Sequence, residues 1–212
     1  LMKRRNILFG GVSAAITALP ISSSAHAAAN CLPIFHPAFG QLQRCSVAVQ
    51  GLNMNPQQCP NWCWAACCQA IFDHAGISTS QSHFVQKVFG HGAVCGKATG
   101  PMIKAGVDGP WQAKNGQSVM ASLGIVLDTE NGIFHPNPLS VVWDEINANR
   151  AVISGSLGHA VLIHALDYTV GPVGTQTEAV HIRDPFPGNP PLSIYSPQQF
   201  YGVNFLATLR IQ

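Results

Sequence analysis

A cysteine at the predicted start of a helix constrains the fold of this chain more than any other feature. Cys63 lies in the run QQCPNWCWAA, which begins at Gln57, and the stretch 62–75 contains no Gly or Pro. Asn61 is a good N-cap, and Pro60 keeps the helix from extending backwards. The sequence therefore predicts a helix with Cys63 in its first turn.

This position favours the thiolate form of Cys63. Unpaired backbone N–H groups face outward in the first turn, and the helix dipole stabilises an anion there. A helix N-terminus lowers a cysteine pKa from about 8.5 toward roughly 3.5–7.5, and a neighbouring imidazolium lowers it further. The alternative is that Cys63 is a buried or disulfide-bonded residue, as is common in exported proteins.

The number of cysteines is odd, which leaves at least one thiol without an intramolecular partner. If Cys63 is the free residue, six remain, and we expect them to form three disulfides. A zinc site competes with this expectation because the chain also has nine His. However, no paired C-x-x-C motifs occur and the His are scattered, which disfavours zinc. The cysteines are Cys31, Cys45, Cys59, Cys63, Cys67, Cys68 and Cys95.

An imidazole and a carboxylate follow in the second half of the chain. His159 comes after Gly158 at a predicted strand start, where the backbone can approach another group closely. His164 and His181 are alternatives, but strand alternation turns each to the opposite face. Asp184 precedes Pro185, so it is either a functional carboxylate or an ordinary turn residue.

The first 27 residues resemble a signal peptide. Lys3, Arg4 and Arg5 form a positive n-region, an apolar run follows, and Ala25-His26-Ala27 is a small-x-small cleavage site. The arginine pair also resembles a twin-arginine signal. We therefore expect a secreted or periplasmic protein of the bacterial envelope or extracellular space, which suits disulfides.

Composition excludes some partners. Cleavage after Ala27 removes three of the 11 Lys and Arg against 9 Asp and Glu, so the net charge changes from +2 to about −1. There is no basic patch, so nucleic-acid binding has no support. The apolar run is too short and broken for stable membrane insertion. We expect residues 28–212 to form a single domain that is monomeric and needs no cofactor or metal.

Hydrophobic patterning predicts an α+β domain, with helices first and antiparallel strands second. Helices are expected after Cys63, over Gln81 to Phe89 with Ser80 as the cap, over Asn115 to Leu123 and over Leu139 to Asn147, with a Gly-rich loop from Cys95 to Trp111. Strands are expected over Ala151 to Ser156, His159 to Val170, Glu178 to Arg183 and Val203 to Ile211.

Three motifs together resemble papain-like cysteine peptidases of the compact bacterial kind, the C39-like and effector-type groups. They are QQCPNWCWAA from Gln57, GHAVLIHALDY over 158–168 and VHIRDPFPG over 180–188. The resemblance implies a helical lobe, which carries the nucleophile helix, packed on a C-terminal antiparallel β lobe. Asp184 stands where papain itself has Asn.

The same resemblance implies a role for each of four residues. Cys63 attacks a carbonyl as thiolate, His159 transfers the proton, and Asp184 orients the imidazole. Gln57, six positions before Cys63, donates to the oxyanion together with the Cys63 backbone N–H. Gln58 adjoins Gln57, and only the spacing prefers Gln57.

The expected function is peptide-bond cleavage in a protein or peptide substrate. One alternative is another thiol acyl-transfer enzyme, either a peptidoglycan amidase or a transglutaminase-like enzyme. A Gln six residues before the cysteine favours the peptidase. The other alternative is a non-catalytic, disulfide-rich binding module, which would leave the Cys63, His159 and Asp184 set unexplained.

Overall fold

The computed structural model describes residues 27–90 and 94–212, so the predicted signal peptide lies almost wholly outside the described residues. Within them the chain forms nine strands and five helices. The strands are β1 (Asn30–His36), β2 (Gly40–Ala48), β3 (Gly109–Gln112), β4 (Ser118–Asp128), β5 (Val152–Ser156), β6 (His159–Gly171), β7 (Gly174–Arg183), β8 (Leu192–Tyr195) and β9 (Phe205–Ile211). The helices are α1 (Cys63–His74), α2 (Gln81–Phe89), α3 (Gly100–Val107), α4 (Pro138–Asn147) and α5 (Pro197–Tyr201).

All nine strands belong to one sheet, in which every pairing is antiparallel. Its main path runs β1-β2-β6-β5-β9-β4-β3, and β7 and β8 extend from β6. The central strands carry apolar residues on both faces because helices cover them: β5 is buried from Val152 to Gly155. The architecture is therefore mixed α and β around a large antiparallel sheet.

Helix α1 lies in the centre of the protein. Nine of its twelve residues are buried, and it contacts β5 and β6 as well as α2 and α3. Phe72 from α1 packs edge-on against Phe84 of α2 and Trp111 of β3, which adds specific aromatic contacts to the area burial. The helix that carries Cys63 is thus held rigidly from several sides.

The helices predicted over 81–89 and 139–147 are confirmed as α2 and α4. Helix α2 spans Gln81–Phe89 as expected, and the Ser80 side chain accepts a hydrogen bond from the backbone N–H of His83. The four predicted strands of the second half correspond to β5, β6, β7 and β9.

The predicted division into a helical first half and a β second half is wrong. β1 and β2 precede α1, and β2 pairs with β6. The expected helix over 115–123 is a turn followed by the first part of the strand β4, which pairs with β9. The expected loop over 95–111 contains α3 and β3. The small residues in 118–124 are compatible with a helix or a strand, and the strand forms because it pairs with β9.

Two disulfides join Cys31 to Cys45 and Cys59 to Cys95, so the expectation of three bridges is wrong. Cys67 and Cys68 are free thiols. Both are fully buried on α1, where they pack as small apolar side chains. Burial in the core, rather than cross-linking, explains the two extra cysteines.

No helix in the described part of the chain has the length and apolarity needed to cross a membrane. Over the same residues, no group of three or more His, Cys, Asp or Glu side chains is arranged to hold a metal ion.

Candidate active site

Cys63 is the first residue of α1 and is buried. The helix start differs from the prediction, because Trp62 is the N-cap and no side chain caps the helix. Asn61 instead donates its amide hydrogen to the backbone carbonyl of Cys95, over 3.0 Å. The first-turn N–H groups therefore remain available to an anion.

A two-residue turn places His159 beside this helix end. Leu157 and Gly158 join β5 to β6, and both have positive φ, 51° and 77°. Such a turn matches the twist of the two strands, and Gly favours it. His159 starts β6, and the next backbone N–H, that of Ala160, donates to the Cys63 Sγ over 3.3 Å.

Asp184 directly follows β7 and is the hydrogen-bond partner of His159. Its Oδ1 lies 2.7 Å from His159 Nε2. Because an ionised carboxylate can only accept, Nε2 must donate, which leaves the His159 Nδ1 for the thiol. Asp184 also accepts from the backbone N–H of Phe186 and from the Asn189 side chain, each over 2.8 Å. It is thus a turn residue and a histidine partner at once.

Electrostatics favour the charged forms of both Cys63 and His159. Burial alone would raise the pKa of Cys63, but hydrogen bonds from His159 and the Ala160 N–H outweigh it and lower that pKa. The pKa of His159 is raised to about 9, chiefly by its hydrogen bond with Cys63 and, against the effect of burial, by Asp184. Both shifts favour a thiolate beside an imidazolium.

Gln57 is buried in the loop before α1, and Gln58 is exposed. The Gln57 amide donates to the carbonyls of Cys59 and Pro60, over 3.0 and 2.8 Å. Its Oε1 is buried and finds no hydrogen-bond partner among the described residues. Both N–H groups of Gln57 therefore stabilise the turn that leads into the helix.

A segment that sequence reasoning missed, residues 94–96, is fixed against the start of α1. Cys95 is bridged to Cys59. The Trp62 indole donates to the Val94 carbonyl over 2.9 Å, and the Trp64 indole donates to the Gly96 carbonyl over 3.5 Å. The two Trp residues beside the nucleophile candidate thus anchor the neighbouring loop, a role that only the tertiary fold reveals.

The remaining candidates lie apart from Cys63. His181 donates to Asp167 over 2.8 Å, and its ring neighbours that of His164. Burial, together with the nearby Arg183 and His181, lowers the pKa of His164 to about 4, which favours a neutral ring. These two histidines therefore form a separate group on β6 and β7.

The buried thiols of Cys67 and Cys68 differ from Cys63. Burial raises the pKa of Cys67 well above its ordinary value, and raises that of Cys68 to about 12. Neither has the charged partner that Cys63 has in His159. Both are therefore expected to stay protonated and unreactive.

No family model matches the chain, and no curated protein does so. Among solved structures, the peptidase domain of Streptococcus ComA, described as a bi-functional ABC transporter involved in a quorum-sensing pathway, is similar at a TM-score of 0.43 and 14% identity. The similarity covers 76% of this chain and 97% of that one. It is too distant to support a conclusion about fold or activity.

Proposed function

We propose that this protein is a papain-like cysteine peptidase that is secreted or periplasmic. One observation carries the proposal: the buried Cys63 thiol at a helix start lies beside His159, which donates to Asp184 over 2.7 Å. A thiol, a base and a group that orients the base are the parts that nucleophilic catalysis requires. The two disulfides support an oxidising location.

In the proposed reaction the Cys63 sulfur attacks the carbonyl carbon of a peptide bond. The carbonyl π electrons move to oxygen and form an oxyanion. His159, as imidazolium, gives its proton to the amide nitrogen when the C–N bond breaks, and an acyl-enzyme thioester remains. Water then gives a proton to His159 and attacks the thioester carbon, the C–S bond breaks, and the acid leaves while the Cys63 thiolate and the His159 imidazolium are regenerated.

The oxyanion needs hydrogen-bond donors, for which we propose the Cys63 backbone N–H and the Gln57 amide. Gln57 uses both N–H groups on the Cys59 and Pro60 carbonyls, so it must release one of them. Breaking a neutral hydrogen bond costs about 0.5–1.5 kcal/mol, whereas a donor to an oxyanion is worth about 2.7–4 kcal/mol. The exchange is therefore favourable in the transition state.

Asp184 has the features of an orienting group. Its carboxylate accepts from three donors, which fixes the oxygen that His159 uses. The Phe186 ring stands edge-on to the imidazole, with ring centroids 6.3 Å apart. Neutral Asn at position 184 would keep the hydrogen bond and lose the charge.

The test is incubation with an epoxysuccinyl inhibitor of papain-type enzymes, followed by mass mapping and a casein-hydrolysis assay. We expect labelling of Cys63 alone and hydrolysis that stops when Cys63 is labelled. Cys68→Ala is the matched control, since it removes another thiol of α1 and should still hydrolyse casein. Labelling spread over several cysteines, or amine incorporation into casein without hydrolysis, would contradict the peptidase proposal.

A further inference from the structure

A cleft of about 290 Å³ opens directly on Cys63 and His159. One wall is the start of α1 with the segment 97–100, and the other is formed by the ends of β4, β5 and β9. Binding sites for whole drug-sized ligands typically measure about 300–1,000 Å³. This cleft is at the lower end of that range, and it has room for a substrate side chain next to the scissile bond.

Asp128, the last residue of β4, lines this cleft although only 4% of it is exposed. Its two carboxylate oxygens accept from the backbone N–H and the side chain of Asn131, over 3.1 and 2.8 Å. Asp128 makes no ion pair with any Lys, Arg or His of residues 27–90 and 94–212. A buried carboxylate gains from a cationic partner, so a cation from outside would be favoured here.

Glycine makes room for this carboxylate. A Cβ added at Gly100 would lie 2.3 Å from Asp128 Oδ2 and 2.8 Å from the Phe205 ring. Any other residue at position 100 would displace the acid from the cleft wall. The acid, the glycine and the cleft thus depend on one another, which distinguishes Asp128 from a surface carboxylate.

The other charges of the cleft agree with a cationic occupant. Glu130 lines the same cleft and is exposed. Lys97 also lines it, but it is exposed, and its Nζ is 3.5 Å from the Cβ position of Gly158, at the His159 side. Water screens an exposed ammonium more than a buried carboxylate. With two carboxylates and one exposed ammonium among its lining residues, the cleft is acidic around Asp128.

We propose that this cleft binds a Lys or Arg side chain of the substrate, with its cationic group on Asp128. The proposal rests on the peptidase function above and adds a substrate class to it. The basic side chain would hold the peptide with a carbonyl near Cys63. Asp128 thus determines specificity and takes no part in bond breaking.

The experiment uses a library of fluorogenic tetrapeptides on the chain without its first 27 residues. Each of the four positions before the fluorophore carries in turn Lys or its uncharged counterpart norleucine. We expect Lys to be preferred at one position by about 10- to 100-fold in kcat/KM, which is the effect expected of one hydrogen bond between charged groups. Equal turnover of Lys and norleucine at all four positions would overturn the proposal.

Three variants test the role of Asp128 in the preference for Lys. Asp128→Asn should bring the ratio of Lys to norleucine turnover close to one. Asp128→Asn combined with Asn131→Asp reverses the hydrogen bond between the two side chains and keeps the total charge, so it tests whether the acid must stand at position 128. Asp144→Asn, an exposed acid outside the cleft, is the matched control and should keep the wild-type ratio. A wild-type ratio in both Asp128 variants would reject the inference.

Failure of the proposal can be told apart from failure of the proposed function. Binding of the same Lys and norleucine peptides to Cys63→Ala, measured by fluorescence polarisation, needs no turnover. Hydrolysis without a Lys preference leaves the peptidase function standing and rejects the basic pocket. The opposite result is that the unsubstituted chain hydrolyses no peptide, while binding still prefers Lys and Asp128→Asn removes that preference. This result supports the basic pocket and rejects the peptidase function.

Discussion

His159 begins β6 and Asp184 directly follows β7, the two strands of one hairpin, and their hydrogen bond of 2.7 Å lies at the open end of that hairpin. The register between β6 and β7 ends with the pair of Leu162 and Arg183, so Asp184 lies one residue and His159 three residues beyond that pair. Backbone pairing therefore sets the geometry of the histidine and its carboxylate, and α1 supplies the thiol from outside the sheet.

Substitution of Cys63 by Ala should abolish hydrolysis. Removing the nucleophile of such a set leaves only binding and oxyanion stabilisation, so kcat/KM should fall by about 10⁴-fold or more. Casein hydrolysis measures it, and circular dichroism checks that the variant folds. An active Cys63→Ala protein would show that another group carries the reaction.

The pH profile of kcat/KM should be bell-shaped. Activity should fall on the alkaline side near pH 9, where His159 loses its proton, and on the acid side below the lowered pKa of Cys63, where the thiolate is protonated. These two limits belong to the coupled pair rather than to either residue alone. Stopped-flow alkylation by iodoacetamide across pH 4–10, a range chosen to include both limits, measures the thiolate directly.

Substitution of Asp184 by Asn should shift the alkaline limit toward lower pH. The nearby carboxylate raises the pKa of His159, and removal of an opposite charge at this distance lowers such a pKa by about 1–3 units. Asp167→Asn is a matched control because it neutralises the acid partner of His181. An equal shift in both variants would mean that general electrostatics, rather than the Asp184 contact, sets the limit.

Gln57→Ala should lower kcat/KM by about 10- to 10³-fold, because it removes an oxyanion donor. The loss is smaller than for a free donor, since the wild-type amide must first release one hydrogen bond to the turn. Gln58→Ala should leave kcat/KM unchanged, since that side chain is exposed. Steady-state kinetics with one fluorogenic peptide compares them. If Gln57→Ala lowers only the melting temperature, its amide serves the turn and not the reaction.

Thiol titration should find one reactive thiol in the native protein and three after unfolding without reductant. The three are Cys63, Cys67 and Cys68, and the other four cysteines are bridged. Low millimolar reductant should keep Cys63 active, whereas strong reduction should destabilise the fold, since each bridge is typically worth 2–4 kcal/mol. A count of one free thiol after unfolding would mean that Cys67 and Cys68 form disulfides. A count of five or more free thiols would mean that at least one of the two bridges does not form.

The sequence predicted which residues meet at the candidate site better than it predicted the course of the chain. Cys63, His159 and Asp184 could be identified because helix start, strand start and turn are local signals. The strand β4 and the pairing of β2 with β6 could not, because long-range contacts override local preference there. The cleft acid Asp128 was missed for the same reason: nothing near position 128 indicates that Cys63 lies across from it.

The hairpin of β6 and β7 also offers a place to attach a probe. Its closed end, Gly171 paired with Gly174, is nine residues along β6 from the pair of Leu162 with Arg183, or about 30 Å at strand spacing. Val173 at that tip is exposed. Extra residues inserted there leave the ladder that aligns His159 with Asp184 in register, so a fluorophore or surface anchor could be added without disturbing the site.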